Sequence, residues 1–281
     1  MPGYLPNLLI VGAAKSGTTS LHSYLDHHPS VAMSEQKELQ LFSRENWRDL
    51  LDWYRGHFHV RAPVRGESSP AYSMDPVLPQ VPERAREVIP NARIVYMVRD
   101  PIERLLAHYV EFVTLGLEKK PFEAALADYD SGRNVYAMTS SYAHQLERWH
   151  AAFPASQVLV LDQRELLDER RDTLRRVFRF LEIDDSFWTS EFDQLHNTRT
   201  MKLRVNRFGL WLWHRGLYHR SVAAASALPP RVRGRAVGLI GEPVQAPRPS
   251  EALLDELRGY LRDDAGRLRE LTGKSFDHWS V

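Results

Sequence analysis

The sequence predicts an α/β protein in which helices cover both faces of a central, mostly parallel sheet, forming a three-layer sandwich. Short apolar runs alternate with helical patterns along the chain, which is typical of parallel strands joined by helices. The first run, Leu8 to Val11, leads through a glycine-bounded loop into a helical pattern. No internal repeat divides the 281 residues, so we expect a single domain over residues 1–281.

Strands and helices follow one another in a simple order. Strands are predicted at 8–11, 30–33, 93–98 and 158–161. Helices are predicted at 18–27, 75–89, 101–117, 122–128, 139–151, 165–182 and 250–272. Pro101 suits the first position of its helix, because the N–H that proline lacks would have no partner there. Residues 199–245 are expected to form a basic, tryptophan-containing helical elaboration of the same domain.

The composition points away from several classes of protein. The formal net charge is +1, so charge gives no reason to expect a nucleic-acid partner. The absence of cysteine excludes disulfides, thiolate metal sites and cysteine nucleophiles, and the histidines lack the spacing of metal ligands, so no metal is expected. No apolar run approaches the ~18 residues of a membrane span, and Leu8 to Val11 is too short for a signal peptide. A cytoplasmic location is therefore expected.

The loop between the first strand and the first helix is typical of a phosphate site. N–H groups at a helix start lack partners, the helix dipole adds partial positive charge, and Gly12 and Gly17 allow an oxyanion to approach closely. The predicted phosphate ligands are Lys15, Ser16, Gly17, Thr18, Thr19 and Ser20. A standard P-loop has its lysine directly after the last glycine, whereas Lys15 precedes Gly17 by two residues, so a metal-free phosphate site is favoured over a Mg²⁺–nucleotide site. The alternative is a Gly/Ser/Thr turn with a solvated lysine.

A second basic residue follows another strand. Arg99 comes at the carboxyl end of the predicted strand 93–98, where ligands bind in open α/β sheets. Its guanidinium can pair bidentately with a phosphate, or it can form an ion pair with Asp100 or Glu103. Arg104 is expected to be structural. His108 could act as a base by its chemistry, but we expect a packed, non-catalytic imidazole.

The motifs together resemble those of sulfotransferases that use 3′-phosphoadenosine 5′-phosphosulfate (PAPS), and are most similar to the heparan-sulfate type and its bacterial relatives. The matching segments are 15–19 (Lys-x-Gly-Thr-Thr), 37–42 (Lys-Glu-x-x-x-Phe), 66–72 (Gly-Glu-x-Ser-Pro-x-Tyr), 99–109 (Arg-Asp-Pro-x-x-Arg, then Tyr), 142–149 (Tyr-x-x-x-Leu-x-x-Trp) and 271–273 (Leu-x-Gly) with Trp279. The resemblance covers most of the chain and implies a P-loop-NTPase-like form of the sandwich.

The resemblance implies roles for individual residues. Lys15 would stabilise the leaving phosphate, and residues 16–20 would hold the 5′-phosphate. Glu38 would be the base, with Glu67 either a second candidate for the base or a partner that orients Lys15 or the substrate. The alternative is that Glu38 has no catalytic role and is an exposed glutamate beside Lys37. Arg99 would bind the 3′-phosphate.

Three positions depart from the family pattern. Ala107 stands where the family has a serine that binds the 3′-phosphate, and losing such a charge-assisted bond costs about 1.5–3 kcal/mol. Gln40 and Leu41 stand where eukaryotic relatives have an aromatic residue or histidine, so the acceptor is not predicted. Arg233-Gly234-Arg235 resembles the Lys-Gly-Arg of the family's nucleotide loop, which makes Arg233 a candidate nucleotide ligand.

Segment 199–241 has nine Arg or Lys and no Asp or Glu, with Phe208, Trp211 and Trp213 interleaved. One interpretation is a lid in which Arg199, Lys202 or Arg204 folds over the nucleotide. A second is contact with an anionic lipid surface through 207–220. The third is a solvated basic face with its tryptophans packed in the core.

The sequence thus predicts a metal-independent sulfotransferase that acts on a hydroxyl or amine of a sugar, lipid or small molecule. The alternatives are a non-catalytic nucleotide-binding module on the same scaffold and a Mg²⁺-dependent P-loop kinase. Neither the acceptor nor the oligomeric state is predicted.

Overall fold

A computed structural model describes residues 3–194, 203–215 and 217–281 of the chain. Its centre is a five-stranded sheet in which every pairing is parallel, as the sequence predicts. The strands are β1 (Leu8–Gly12), β2 (Val31–Met33), β3 (Val64–Ser68), β4 (Arg93–Val98) and β5 (Val158–Asp162), in the order β2-β3-β1-β4-β5.

Helices lie on both faces of the sheet. They are α1 (Thr18–Asp26), α2 (Leu51–Arg55), α3 (Val81–Val88), α4 (Pro101–Thr114), α5 (Phe122–Ala125), α6 (Val135–Met138), α7 (Tyr142–Ala152), α8 (Gln163–Asp168), α9 (Arg170–Phe180) and α13 (Glu251–Thr272), with α10 to α12 described below. Alternate residues of β1 face opposite layers: Leu8 and Ile10 pack with α1 and α9, whereas Leu9 and Val11 pack with α3, α7 and α13. The three-layer sandwich is therefore confirmed.

The predicted elements need several corrections. Strand β3 was not predicted, because four of its five residues are not large and apolar, although all but Arg65 are buried. The helix expected at 75–89 begins only at Val81, since Gln80 has a left-handed backbone (φ 64°) that interrupts it. The helix expected at 165–182 is two helices, separated at Glu169, whose backbone is not helical (φ −123°, ψ 41°).

Other predicted bounds shift by a few residues. The helix expected at 101–117 ends at Thr114, the one at 122–128 ends at Ala125, and the one at 139–151 begins at Tyr142. Asn134 caps the short helix α6 by accepting hydrogen bonds from two N–H groups of its first turn. These differences leave the order of the layers unchanged.

The basic segment forms a small layer of its own. It contains β6 (Leu203–Val205), α10 (Arg207–His214), α11 (Tyr218–Ser226), α12 (Pro230–Ile240) and β7 (Gly241–Pro243). Strands β6 and β7 pair antiparallel, and β6 also lies against α4. The helices share a separate apolar cluster that includes Leu212, Val222 and Val237. Within the described residues, no helix is both long enough and apolar enough to cross a membrane.

Candidate active site

The candidate site lies at the carboxyl edge of the sheet, where the chain leaves β1 and β4. The connection from β1 runs towards β2 on one side of the sheet, whereas β4 leads to β5 on the other. Such a switch in direction opens a crevice at the strand ends. Lys15 and Arg99 meet there, because Nη1 of Arg99 donates to the carbonyl oxygen of Lys15 at 3.2 Å.

The phosphate loop presents an open helix start. Gly17, the residue before α1, has a left-handed backbone (φ 87°) that a side chain would strain. No side chain caps α1, and its first turn contains no acidic residue. The partial positive charge at this end of the helix dipole can therefore stabilise an anion bound there.

Lys15 is held by a residue that the sequence did not predict. Its ammonium forms an ion pair with Glu111 of α4 at 2.8 Å, and the two side chains are 28% and 35% exposed. Lys15 also has a left-handed backbone (φ 72°), which costs free energy in a residue other than glycine. An oxyanion bound in the loop would compete with Glu111 for this ammonium.

Lys37 places a second ammonium at the loop. Its Nζ donates to Oγ1 of Thr19, in the first turn of α1, at 2.5 Å. Partial burial is the main reason that the pKa of Lys37 is lowered; Glu38 acts in the opposite sense and Lys15 lowers the pKa further. An anion between the two ammonium groups would relieve this repulsion, so Lys37 joins the candidate phosphate ligands.

Glu38 is exposed and directly follows Lys37. Its N–H donates to the carbonyl oxygen of Ser68 at the end of β3, so the sheet holds the segment in place. Both Glu38 and Gln40 have left-handed backbones, with φ of 59° and 52°. Such strain in residues other than glycine concentrates at functional sites.

Glu67 is fully buried beneath the Glu38 segment. One carboxylate oxygen accepts hydrogen bonds from the hydroxyls of Tyr54 and Tyr72, and the other accepts from Ser69, each at 2.7 Å. Burial raises the pKa of Glu67, although these bonds and one from the N–H of Leu39 oppose the effect. Because Ser69 Oγ also accepts from Gln40 N at 3.1 Å, Glu67 supports the backbone on both sides of Leu39. This arrangement favours a positioning role over that of a base.

Arg99 has unused hydrogen-bonding capacity beside the loop. Its guanidinium pairs with Glu103, the ion pair named as an alternative, but its buried Nε has no hydrogen-bond partner among the described residues. Glu103, Ala107 and Glu111 are spaced four residues apart on α4 and so share one face of that helix. Glu103 forms an ion pair with Arg99, and Glu111 forms one with Lys15. Ala107 lies between them and adds no polar side chain to this face.

Arg104 and His108 occupy the structural positions that the sequence predicts. Arg104 is fully buried and donates to Ser140 Oγ at 2.8 Å and to the carbonyl oxygen of Tyr136 at 2.6 Å. His108 lies 3.1 Å from Arg104 through Nδ1. Burial, with Arg104 and Lys15 adding to it, lowers the pKa of His108 to about 2, so the ring is neutral.

Other predicted ligands have varied outcomes. Ser16 is buried in the loop, Thr18 is buried at the first position of α1, and Thr19 and Ser20 follow it in the first turn of that helix. Arg233 lies in α12 and donates to the carbonyl oxygen of Leu228, and its role as a nucleotide ligand stays a prediction. Arg199 and Lys202 lie outside the described residues, as does the side chain of Arg204, so the lid also stays a prediction.

Lys37 and Glu111 are the residues that the sequence analysis missed as site residues. The sequence clue to Glu111 was its position eight residues after Glu103, which places both carboxylates on one face of α4. That helix begins two residues after Arg99. The signal for Lys37 was its place directly before Glu38 in a quoted motif. Neither contact could be foreseen from spacing alone, since each joins two elements that are distant in sequence.

Comparison with known proteins identifies the domain. A family model described as a sulfotransferase domain matches residues 5–209. The chain is 31% identical over 191 residues to heparan sulfate glucosamine 3-O-sulfotransferase 5 of Mus musculus, which covers 64% of this chain and 54% of that protein. It is 28% identical over 196 residues to bifunctional heparan sulfate N-deacetylase/N-sulfotransferase 3 of Homo sapiens, covering 63% of this chain and 22% of that protein. The matched region is thus about half of the first relative and about a fifth of the second.

Solved structures share the architecture along the whole chain. A sulfotransferase from Alicyclobacillus acidocaldarius superposes with a TM-score of 0.69 at 23% identity, covering 99% of this chain and 100% of that one. The sulfotransferase domain from the curacin biosynthetic pathway superposes with a TM-score of 0.52 at 13% identity, covering 95% and 98%. At these identities the likeness shows the fold, and the residues of the site must be argued from their own geometry.

Proposed function

The chain belongs to the sulfotransferase domain family, and from this premise we propose that it moves the sulfuryl group of PAPS to a hydroxyl or amine of a sugar, lipid or small-molecule acceptor. The observation that carries the proposal is the contact between Arg99 and the carbonyl of Lys15 at the switch point of the sheet. It brings two cationic groups from separate strands to one crevice. PAPS carries anionic groups on both the 3′ and 5′ positions of one ribose, which fits two such groups.

The loop and its two lysines suit the 5′-phosphosulfate. The uncapped start of α1 and the hydroxyls of residues 16 and 18–20 would hold the 5′-phosphate. In the transfer, the bond between sulfur and the bridging oxygen breaks while a bond forms between sulfur and the acceptor atom. The bridging oxygen leaves as part of a phosphate, and Lys15 would stabilise the charge that develops on it. Lys37 would stabilise the same phosphate or the sulfuryl oxygens.

The acceptor must also lose a proton. We propose that Glu38 takes it, because its carboxylate is exposed and is carried by a segment fixed to the end of β3. Glu67 would act through Glu38 as a positioning residue, since its own oxygens are buried and already accept hydrogen bonds. The protein's main contribution is then to align acceptor and phosphosulfate and to screen their charges.

The 3′-phosphate would bind at Arg99. Its Nε has no hydrogen-bond partner among the described residues, and its partner Glu103 is exposed and can be displaced, so the guanidinium would be able to make a bidentate contact. Ala107 supplies no hydroxyl here, so Arg99 would provide more of the affinity than in relatives with a serine. A cytoplasmic location and independence from metal also remain parts of this proposal.

The decisive assay measures transfer of radiolabelled sulfate from PAPS to candidate sugars, lipids and small molecules in the presence of EDTA. We expect Glu38→Gln to reduce turnover by about 10²–10⁴-fold while leaving nucleotide affinity unchanged, the usual effect of losing a positioned base. Glu35→Gln is the matched control, because Glu35 is an exposed glutamate three residues away.

Two outcomes would overturn parts of the proposal. Transfer of a phosphoryl group from a nucleoside triphosphate instead of a sulfuryl group from PAPS, or transfer that requires Mg²⁺, would favour a P-loop kinase. Tight binding of the nucleotide with no transfer to any acceptor would favour a non-catalytic module. Equal turnover of Glu38→Gln and Glu35→Gln would remove Glu38 from the mechanism without removing the activity.

A further inference from the structure

An aromatic surface lies on α10, outside the candidate active site. Phe208 and Trp211 are 51% and 48% exposed, and their rings stack at 5.8 Å between centroids with 15° between planes. Arg215, one turn further along, places its guanidinium 5.2 Å from the centroid of the Trp211 ring. These three residues recur at the spacing of one helix face, whereas Leu212 points into the apolar cluster of this layer.

Helix α12 repeats the pattern with aliphatic side chains. Val232 and Leu239 are 47% and 68% exposed, and Arg235 is exposed between them on the same face. Val237 and Ile240 on another face are buried against α10 and α11. The cluster is thus already filled from inside, and the outward apolar side chains are not needed to form it.

The charged residues of this segment have one sign as far as Gly241. From Gln194 to Gly241 the sequence has no Asp or Glu, and the arginines at 215, 220, 231 and 235 are exposed. Exposed apolar side chains elsewhere have other surroundings: Leu117, for example, is 68% exposed but directly precedes Glu118. A negatively charged partner would complement these arginines, which no acidic residue interrupts before Glu242.

We propose that α10 and α12 dock on the headgroup region of a membrane that contains anionic lipids. Stacked aromatic rings and aliphatic side chains bury in the boundary between headgroups and acyl chains, while arginines bind the lipid phosphates. A nucleic acid would account for the arginines and the rings, but it offers nothing to Val232 and Leu239. The surface adds to the candidate active site without sharing residues with it, so the inference does not depend on the transfer reaction.

Vesicle flotation tests the proposal directly. The whole chain is mixed at low salt with vesicles of phosphatidylcholine alone, or of three parts phosphatidylcholine to one part phosphatidylglycerol. We expect retention by the anionic vesicles only. Trp211→Glu should lower the partition coefficient by at least about tenfold, and Arg235→Gln by about fivefold, the effect of one basic residue at an anionic surface. Leu239→Gln, on the other helix, provides a second apolar variant.

Trp53→Glu is the matched control. Trp53 is 38% exposed and has the guanidinium of Arg44 at 5.1 Å from its ring centroid, so its setting is similar outside this surface. We expect this variant to float with the vesicles like the wild type. Circular dichroism and thermal unfolding establish that each variant is folded.

Three results would overturn the proposal. The first is no retention of the wild type by anionic vesicles at low salt. The second is an equal loss of retention in folded Trp53→Glu and Trp211→Glu. The third is tight binding of a single-stranded oligonucleotide that Trp211→Glu abolishes, without any retention by vesicles, which would make the surface a nucleic-acid site.

Discussion

Replacing Glu111 by glutamine should tighten the binding of 3′-phosphoadenosine 5′-phosphate (PAP), the desulfated form of PAPS. Lys15 pairs with Glu111 at 2.8 Å, and a phosphate that binds at Lys15 must break or share that pair. The variant removes the competing charge while keeping the size of the side chain and its position on α4. Because the glutamine amide carries no charge, the Lys15 ammonium would give up a weaker contact when it binds the phosphate.

The size of the effect follows from the exposure of the pair. Side chains that are 28% and 35% exposed are partly screened, so the pair is worth about 0.2–1 kcal/mol. Affinity for PAP should therefore rise by up to about fivefold at low salt, and the gain should shrink at high salt because small ions screen the pair.

Isothermal titration calorimetry measures this change. Glu87→Gln is the matched control, because Glu87 pairs with Arg48 on the exposed surface away from the loop. An unchanged affinity in Glu111→Gln would show that the nucleotide does not compete for Lys15. A weaker affinity would show that Glu111 orients Lys15 for binding instead of restraining it.

Three further predictions concern residues around the loop. Lys37→Met should reduce turnover by about 10²-fold, the cost of one electrostatic stabiliser, whereas the exposed Lys119→Met should not; equal rates in steady-state assays would exclude Lys37 from the site. Glu67→Gln should lower the free energy of unfolding by about 1–3 kcal/mol, because an amide cannot accept every hydrogen bond that the carboxylate accepts. Burial raises the pKa of Glu67 in the folded protein, so its contribution to the free energy of unfolding is full below the unfolded-state pKa and is lost as the pH rises through the folded-state pKa. Denaturant titrations from pH 4.5 upwards should therefore show that the difference in free energy of unfolding between wild type and Glu67→Gln becomes smaller. A difference that grows with pH would contradict the assigned direction of the pKa shift. Gln40→Gly should raise the free energy of unfolding by up to about 1 kcal/mol, since glycine tolerates the left-handed backbone at φ 52°, and a clear loss in the same titration would contradict the strain.

The sequence predicted the layers well because apolar periodicity reports burial on both faces of a sheet. Strands β1, β4 and β5 each contain at least four consecutive apolar residues, which are buried in β1 and β4, whereas Val158 and Leu159 of the edge strand β5 are only partly buried. Strand β3 escaped prediction because its sequence, VRGES, includes Arg65 and Glu67. Glu67 lies in a strand because three hydroxyls satisfy its carboxylate, and those hydroxyls come from positions that local pattern cannot bring together.

The sequence also predicted part of the candidate site, namely its cationic residues but not their contacts. Lys15 and Arg99 could be placed because each follows a predicted strand, and the carboxyl ends of parallel strands meet at one edge. Their counter-ions on α4 and the contact between Lys37 and Thr19 could not, since these depend on how α4 and the segment after β2 pack beside the loop. Sequence thus predicted the cations, and the structure added the side chains that contact them.

The most direct test compares the binding of PAP and of 5′-AMP to the wild type and to Arg99→Ala by calorimetry. Arg93→Ala is the control, because Arg93 lies at the opposite end of β4 and pairs with Glu182. If the ends of β1 and β4 bind the two phosphates of one nucleotide, Arg99→Ala weakens PAP by about 10–150-fold, the value of a charge-assisted bond, and leaves 5′-AMP nearly unchanged. An equal loss for both ligands, or no loss for PAP, would contradict that account.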